Sequence, residues 1–137
     1  MALLMYSLIR RHMKQTERFT VCSAEQPLPF SLDVGSERVV GWYDNPEPWK
    51  GTRVVFTDGA IYVVDEAALM RIGFDEMTEY ELPASKTEST GVRIRTKDGF
   101  RFVRIAGRSG PDGKFSDAFT LVQLVRAFLG AVRNKAK

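Results

Sequence analysis

The sequence predicts a mainly β domain with a helix at each end, and three observations carry that expectation. RVVFTDGAIYVVD (residues 53–65) and the looser GVRIRTKDGFRFVRI (91–105) each set two β-branched and aromatic runs around an Asp-Gly pair, a strong short-range hairpin signal. Phe119, Val122, Val125, Leu129 and Val132 recur at intervals of three and four, the spacing of an apolar helical stripe. A chain of 137 residues with 44% apolar and 27% charged content is ordinary for one globular domain, large enough to bury a core without covalent staples.

The N-terminal MALLMYSLIRRHMKQ is the first element. Its apolar run ends at Ile9, far short of the ~20 residues that span a bilayer. Arg10 and Arg11 follow that run instead of preceding it, the wrong order for a secretory signal. At helical spacing Ser7, Arg10, Arg11 and Lys14 share one face, with Ala2, Met5, Ile9 and Met13 opposite. Residues 1–17 are therefore expected to hold a short amphipathic helix, with residues 18–137 forming a single domain. Met5 and Ile9 would pack on that domain or on a partner subunit, and Arg10 and Arg11 would be free for contact with an anionic surface.

The strands follow in order. Phe19–Ser23 is a weak strand candidate, interrupted by Pro27 and Pro29, which lack the donor a ladder needs. SERVVGWYD (36–44) reads as a strand closed by the turn-forming Asn45-Pro46-Glu47-Pro48. A type I′ turn at Asp58-Gly59 would pair Phe56 with Ile61 and Val55 with Tyr62. Both faces of that hairpin are then apolar, so it should be covered on both sides. Leu69–Ile72 and Met77–Leu82 are two further strands around the polar Gly73–Glu76, and a polar link, 84–90, follows. In the second hairpin an Asp98-Gly99 turn would pair Ile94 with Val103 and Val92 with Ile105, leaving Arg93, Arg95, Phe102 and Arg104 on a solvated face. A glycine-rich loop (107–113) leads to the C-terminal helix, Phe115 to Arg133, with a basic tail suited to the negative end of the helix dipole.

Strands SERVVGWYD, TRVVFT, AIYVVD, ALMRI, EMTEYEL, GVRIRTK and FRFVRIAG, followed by the helix FSDAFTLVQLVRAFLGAVR, are similar in order to the pleckstrin-homology-like superfold, particularly its bacterial PH-like and GRAM-like domains. The resemblance covers roughly residues 36–133. It implies a seven-stranded, partly open barrel of two packed antiparallel sheets, capped by the final helix. It further implies a binding role, toward phosphoinositide headgroups, peptides or neighbouring domains. Lipid-binding members cluster basic residues on the loop between their first two strands. Here that loop, residues 45–51, carries only Lys50, with Arg53 just beyond, which argues against inositol-phosphate recognition.

Charge is segregated along the chain. Residues 65–82 hold Asp65, Glu66, Asp75, Glu76, Glu79 and Glu81 against Arg71; residues 91–114 hold Arg93, Arg95, Lys97, Arg101, Arg104, Arg108 and Lys114 against Asp98 and Asp112. Neighbouring strands of opposite sign can neutralise each other; the alternative is an anion-attracting face. No helix-turn-helix or RNP-like stacking pattern accompanies the charge, so nucleic acid is not an expected partner. One Cys22 and one His12 leave no disulfide framework and no zinc cluster, with a reducing cytoplasm as the default setting. Cys22 is expected to be a small buried hydrophobe. GRSGPDGK departs from a phosphate-binding loop because Lys114 is followed by Phe115. The expected function is a non-enzymatic module without cofactor or metal. It would make protein–protein or scaffold contacts, or bind anionic membranes peripherally with low specificity, and one apolar N-terminal helix per chain invites homo-oligomers. The candidate contact residues are Lys50, Arg53, Arg93, Arg95 and Arg104, with Met5, Ile9, Arg10 and Arg11 on the helix.

Overall fold

The computed structural model describes residues 2–47, 49–66, 68–81, 90–107 and 116–136. Most of the polar link, residues 108–113 of the glycine-rich loop, and the side chains of the basic tail lie outside the described residues. Element order is α1 (Ala2–Met13), β1 (Phe19–Val21), β2 (Val39–Asp44), β3 (Arg53–Thr57), β4 (Ala60–Val64), β5 (Leu69–Gly73), a 3-10 turn (Phe74–Glu76), β6 (Met77–Glu81), β7 (Gly91–Thr96), β8 (Gly99–Arg104) and α2 (Ser116–Ala136). The strands form two antiparallel sheets, β1-β2-β3-β4-β5 and β6-β7-β8. The weak candidate at Phe19 is a real edge strand, making eight strands among the described residues, and the sheets do not close into a barrel.

The β3–β4 hairpin has the expected register, Phe56 opposite Ile61 and Val55 opposite Tyr62. Its turn is built differently. Gly59 is not in the left-handed region, so the turn is not type I′. Instead the Thr57 hydroxyl accepts the Gly59 and Ala60 amides at 3.1 and 2.9 Å, a side-chain-closed turn that needs no positive φ.

Both faces of the hairpin are covered. Val54, Phe56 and Ile61 enter the main core with residues of both helices and both sheets. Val55, Ala60 and Tyr62 join Trp42 in a second cluster, against which Leu28, Phe30, Leu32 and Val34 pack. Segment 24–36 is thus a strap over the outer side of the larger sheet. It alternates half-buried even positions with exposed odd ones from Pro27 to Gly35, like a strand, but its hydrogen bonds among the described residues are local ones such as Ser23 to Gln26 and Val34 to Glu37. Cys22 is half-buried at the edge of this second cluster.

In the second hairpin Val92 pairs with Val103, Ile94 with Arg101 and Thr96 with Gly99. The register differs by two from the expected one because the loop is Lys97-Asp98. The Thr96 hydroxyl accepts the Asp98 amide at 3.2 Å, and Gly99 opens β8 with φ 119°. A shift of two leaves every side chain on its original face, so Val92, Ile94, Val103 and Ile105 still point inward.

Helix α2 closes the core with Ala118, Leu121, Val122, Leu124, Val125, Phe128 and Leu129, all buried. Phe119, expected in this stripe, is 42% exposed; it lies on the side of exposed Gln123 and Arg126, four and seven positions on and therefore nearly aligned. At the start of α2, buried Asp117 accepts a 2.5 Å hydrogen bond from Tyr43, tying the helix to β2. Helix α1 packs against α2, and Met5, Ile9 and Met13 are buried in the chain's own core. No helix among the described residues is long and apolar enough to cross a membrane.

Removal of core volume at Phe128→Ala or Leu129→Ala is expected to cost about 2–5 kcal/mol, whereas Phe119→Ala should cost less than about 1 kcal/mol. Urea melts of the three variants measure the difference.

Candidate functional site

Alternation along β7 and β8 turns Arg93, Arg95, Phe100, Phe102 and Arg104 away from the core. Phe100 is 41% and Phe102 43% exposed. Gly91, opposite Arg104 in register, lies beneath the Phe102 ring, and an added methyl there would meet both that ring and the Val103 carbonyl. A bare backbone at position 91 therefore seats the ring.

The arginines of this face are already engaged. Strand β6 runs beside β7 with Glu79 opposite Arg95 and Glu81 opposite Arg93. The resulting ion pairs are 3.3 and 3.2 Å long. Cross-strand neutralisation, one of the two readings open from the charge pattern, is what the geometry builds. The guanidiniums also cover the rings: Arg93 and Arg95 lie 4.9 and 5.8 Å from the Phe100 centroid. Arg104 sits between Phe102 at 5.0 Å and Trp49 at 4.7 Å and donates to Thr90 Oγ1 at 2.5 Å. Burial there lowers the Arg104 pKa below its ordinary value.

Of the other candidate cations, Arg53 pairs with Asp44 at 3.0 Å and lies over Phe30, and Lys50 is exposed. Lys50 and Arg53 line a separate depression with Arg18, Asp44, Asn45 and Glu47. The two groups are joined through buried Asn45. Its amide nitrogen donates to Thr52 O at 2.8 Å and Arg104 O at 3.0 Å, and its oxygen accepts the Ala106 amide at 2.8 Å. Asn45, expected only as a turn residue, is a tether between the β2–β3 loop and the end of β8. On α1, Met5 and Ile9 face inward and are not offered to a second chain, whereas Arg10 and Arg11 are exposed. Arg10 and Arg38 flank the Tyr6 ring.

A second polar assembly, with no local signal in the sequence, joins residues far apart. Glu37 receives hydrogen bonds from Thr57 at 3.0 Å and Tyr62 at 2.7 Å and is ion-paired with Arg71. Arg71 also donates to Tyr62 at 3.2 Å and lies 3.6 Å from Glu76. Burial opposes the Glu37 charge, but the bonds from Arg71, Tyr62 and Thr57 outweigh it and hold the carboxyl below its usual pKa. Hydrogen bonds to Glu37 and Tyr62 raise the Arg71 pKa in turn.

Beside this network opens a cleft of about 500 Å³. Met5, Phe74, Met77, Phe128, Leu129 and Val132 supply its apolar lining, with Glu37, Asp58, Arg71 and Asp75 as its charged lining. Among the described residues no group of three or more His, Cys, Asp or Glu is placed to hold a metal ion. Comparison with family models, with curated proteins and with solved structures gives no match for this chain.

Because the folded Glu37 pKa is depressed, its stabilisation is present above the ordinary carboxylate range and is lost as pH falls through the folded value. Between about pH 7 and about pH 3 the native chain is expected to lose more stability than Glu37→Gln, as thermal melts at each pH would record.

Proposed function

We propose that this chain is a non-enzymatic binding module that docks a protein partner on the outer face of the β6–β7–β8 sheet. One observation carries the reading: Phe100 and Phe102 stand exposed side by side, each covered by arginines that ion pairs and stacking hold in place. Aromatic rings and arginine are the residue types that dominate protein–protein hot spots, and arginines already ordered in the free chain lose little side-chain freedom on binding. Setting aside the three-residue β1, four strands, then three, then a helix is also the element order of the PH-like superfold, which supports a binding role.

A protein partner is favoured over an anionic membrane because Glu79 and Glu81 offset Arg95 and Arg93 on the same face. Diffuse lipid attraction is worth ~1 kcal/mol per basic residue near the surface, and offset residues contribute less. The exposed Arg10 and Arg11 would add only weak, salt-screened contact.

A photo-crosslinking residue at Thr78, exposed on neighbouring β6, is expected to give discrete protein adducts in cells. The same residue at Leu69, 56% exposed on β5, should give none. Phe100→Ser/Phe102→Ser should abolish the Thr78 adducts while leaving the melting temperature within a few degrees. Adducts that survive the double substitution, or tight sedimentation with phosphatidylserine vesicles that persists in high salt, would overturn the reading.

A further inference from the structure

The cleft between α1, the C-terminal half of α2 and the 3-10 turn after β5 plays no part in the partner-binding face, and its chemistry differs from that face. Its volume of about 500 Å³ falls within the range of small-molecule sites, ~300–1,000 Å³. Its floor is taken from the core: Met5, Phe74, Met77, Phe128 and Leu129 are each no more than 7% exposed. Two of these are methionines, whose unbranched thioethers re-pack around irregular apolar shapes.

Charge at the mouth is one-sided. Among the described residues the lining sets Glu37, Asp58 and Asp75 against Arg71, in a chain whose formal net charge is +3. The Arg71 guanidinium is not available to an incoming anion. It is held by Glu37 and by Glu76, with its Nε on the Tyr62 hydroxyl. A ligand carboxylate would have to displace one of those partners. Asp75 is exposed, and Asp58 uses one oxygen to accept the Arg38 amide at 3.0 Å, leaving the other to face a ligand.

We propose that this cleft binds a small amphiphile with an apolar chain or ring body and a single ammonium head. The body lies against Met5, Phe74, Met77 and Leu129, and the head rests between Asp58 and Asp75 at the mouth. The two contributions separate cleanly. The apolar floor sets how long a body is accepted, and the carboxylates set the sign of the head.

Methyl-¹³C methionine spectra of the full chain test this, because Met5 and Met77 line the cleft while Met13 and Met70 do not. Decyltrimethylammonium and decanoate, each below its micelle concentration, and decanol, below its solubility limit, serve as probes. The ammonium probe is expected to shift the Met5 and Met77 resonances saturably, leave Met13 and Met70 in place, and bind at least about tenfold more tightly than decanoate. Asp58→Asn/Asp75→Asn should weaken the ammonium probe by about tenfold and leave decanol unchanged, since both substitutions remove charge at the surface without touching the floor. Val132→Trp, at a half-buried cleft position, should exclude all three probes. Shifts spread evenly over every methionine, equal or tighter binding of decanoate, or indifference of the ammonium probe to the double Asn variant would each overturn the proposal. The cross-linking at Thr78 is unaffected by any of these outcomes, so this site and the partner-binding face stand or fall separately.

Discussion

Neither face of the β3–β4 hairpin tolerates water, because Val54, Phe56 and Ile61 project from one side and Val55, Ala60 and Tyr62 from the other. Burying apolar area is the main favourable contribution to folding, at roughly 25 cal/mol per Å², so a strand pair apolar on both sides needs a cover on each. On the inner side the cover is the three-stranded sheet with α2 and α1. On the outer side it is segment 24–36. Most of the architecture can be traced to that double requirement, including the use of the N-terminal helix as a core element.

Polar groups are arranged around these layers so that charge is paired locally and long-range order comes from a few buried hydrogen bonds. Tyr43 links β2 to the first turn of α2 through Asp117 and also accepts the Gly107 amide at 2.8 Å. Burial first, and then the Asp117 carboxylate, push the tyrosine pKa up, so the hydroxyl remains a donor across the ordinary pH range. Asn45 does comparable work two residues on, just past the end of β2. Buried groups of this kind are costly only when left unpaired, and Tyr43, Asn45 and Asp117 have their partners. The surface ion pairs on β6 and β7, at about half exposure, contribute little to stability; in the same arrangement Arg93 and Arg95 lie over Phe100.

Much of the fold was legible in local pattern. Alternation identified the strands and both faces of each hairpin, and the helical stripe identified α2. The departures have definite causes. The Thr57 and Thr96 hydroxyls closed the two turns in ways the Asp-Gly pairs did not suggest, yet the faces survived because a slip of two preserves pleat parity. Phe119 falls outside the core because the buried arc of α2 is centred on the side of Leu121, Leu124, Val125 and Phe128, whereas Phe119 lies with exposed Gln123 and Arg126. The strap was half-visible: Leu28, Phe30, Leu32 and Val34 alternate like a strand, but prolines at 27 and 29 hid what the alternation was for. The candidate site was legible only in part. The outward arginines followed from periodicity, whereas the Glu37–Arg71 pair, 34 residues apart, and the three-way tether at Asn45 depend on tertiary contacts that no local window contains.

The strap has a consequence for how the molecule opens. Residues 24–36 hold the outer face by side chains while their backbone bonds remain local, so releasing them breaks no sheet hydrogen bond. Local opening then costs only the second cluster, not the whole fold, and belongs to the low end of the stability range spanned by a native protein's cooperative units. The chain is accordingly built in two tiers: an interior closed by both helices, and an outer layer held by side-chain packing, whose release would expose Trp42 and Tyr62 without breaking the sheet beneath them.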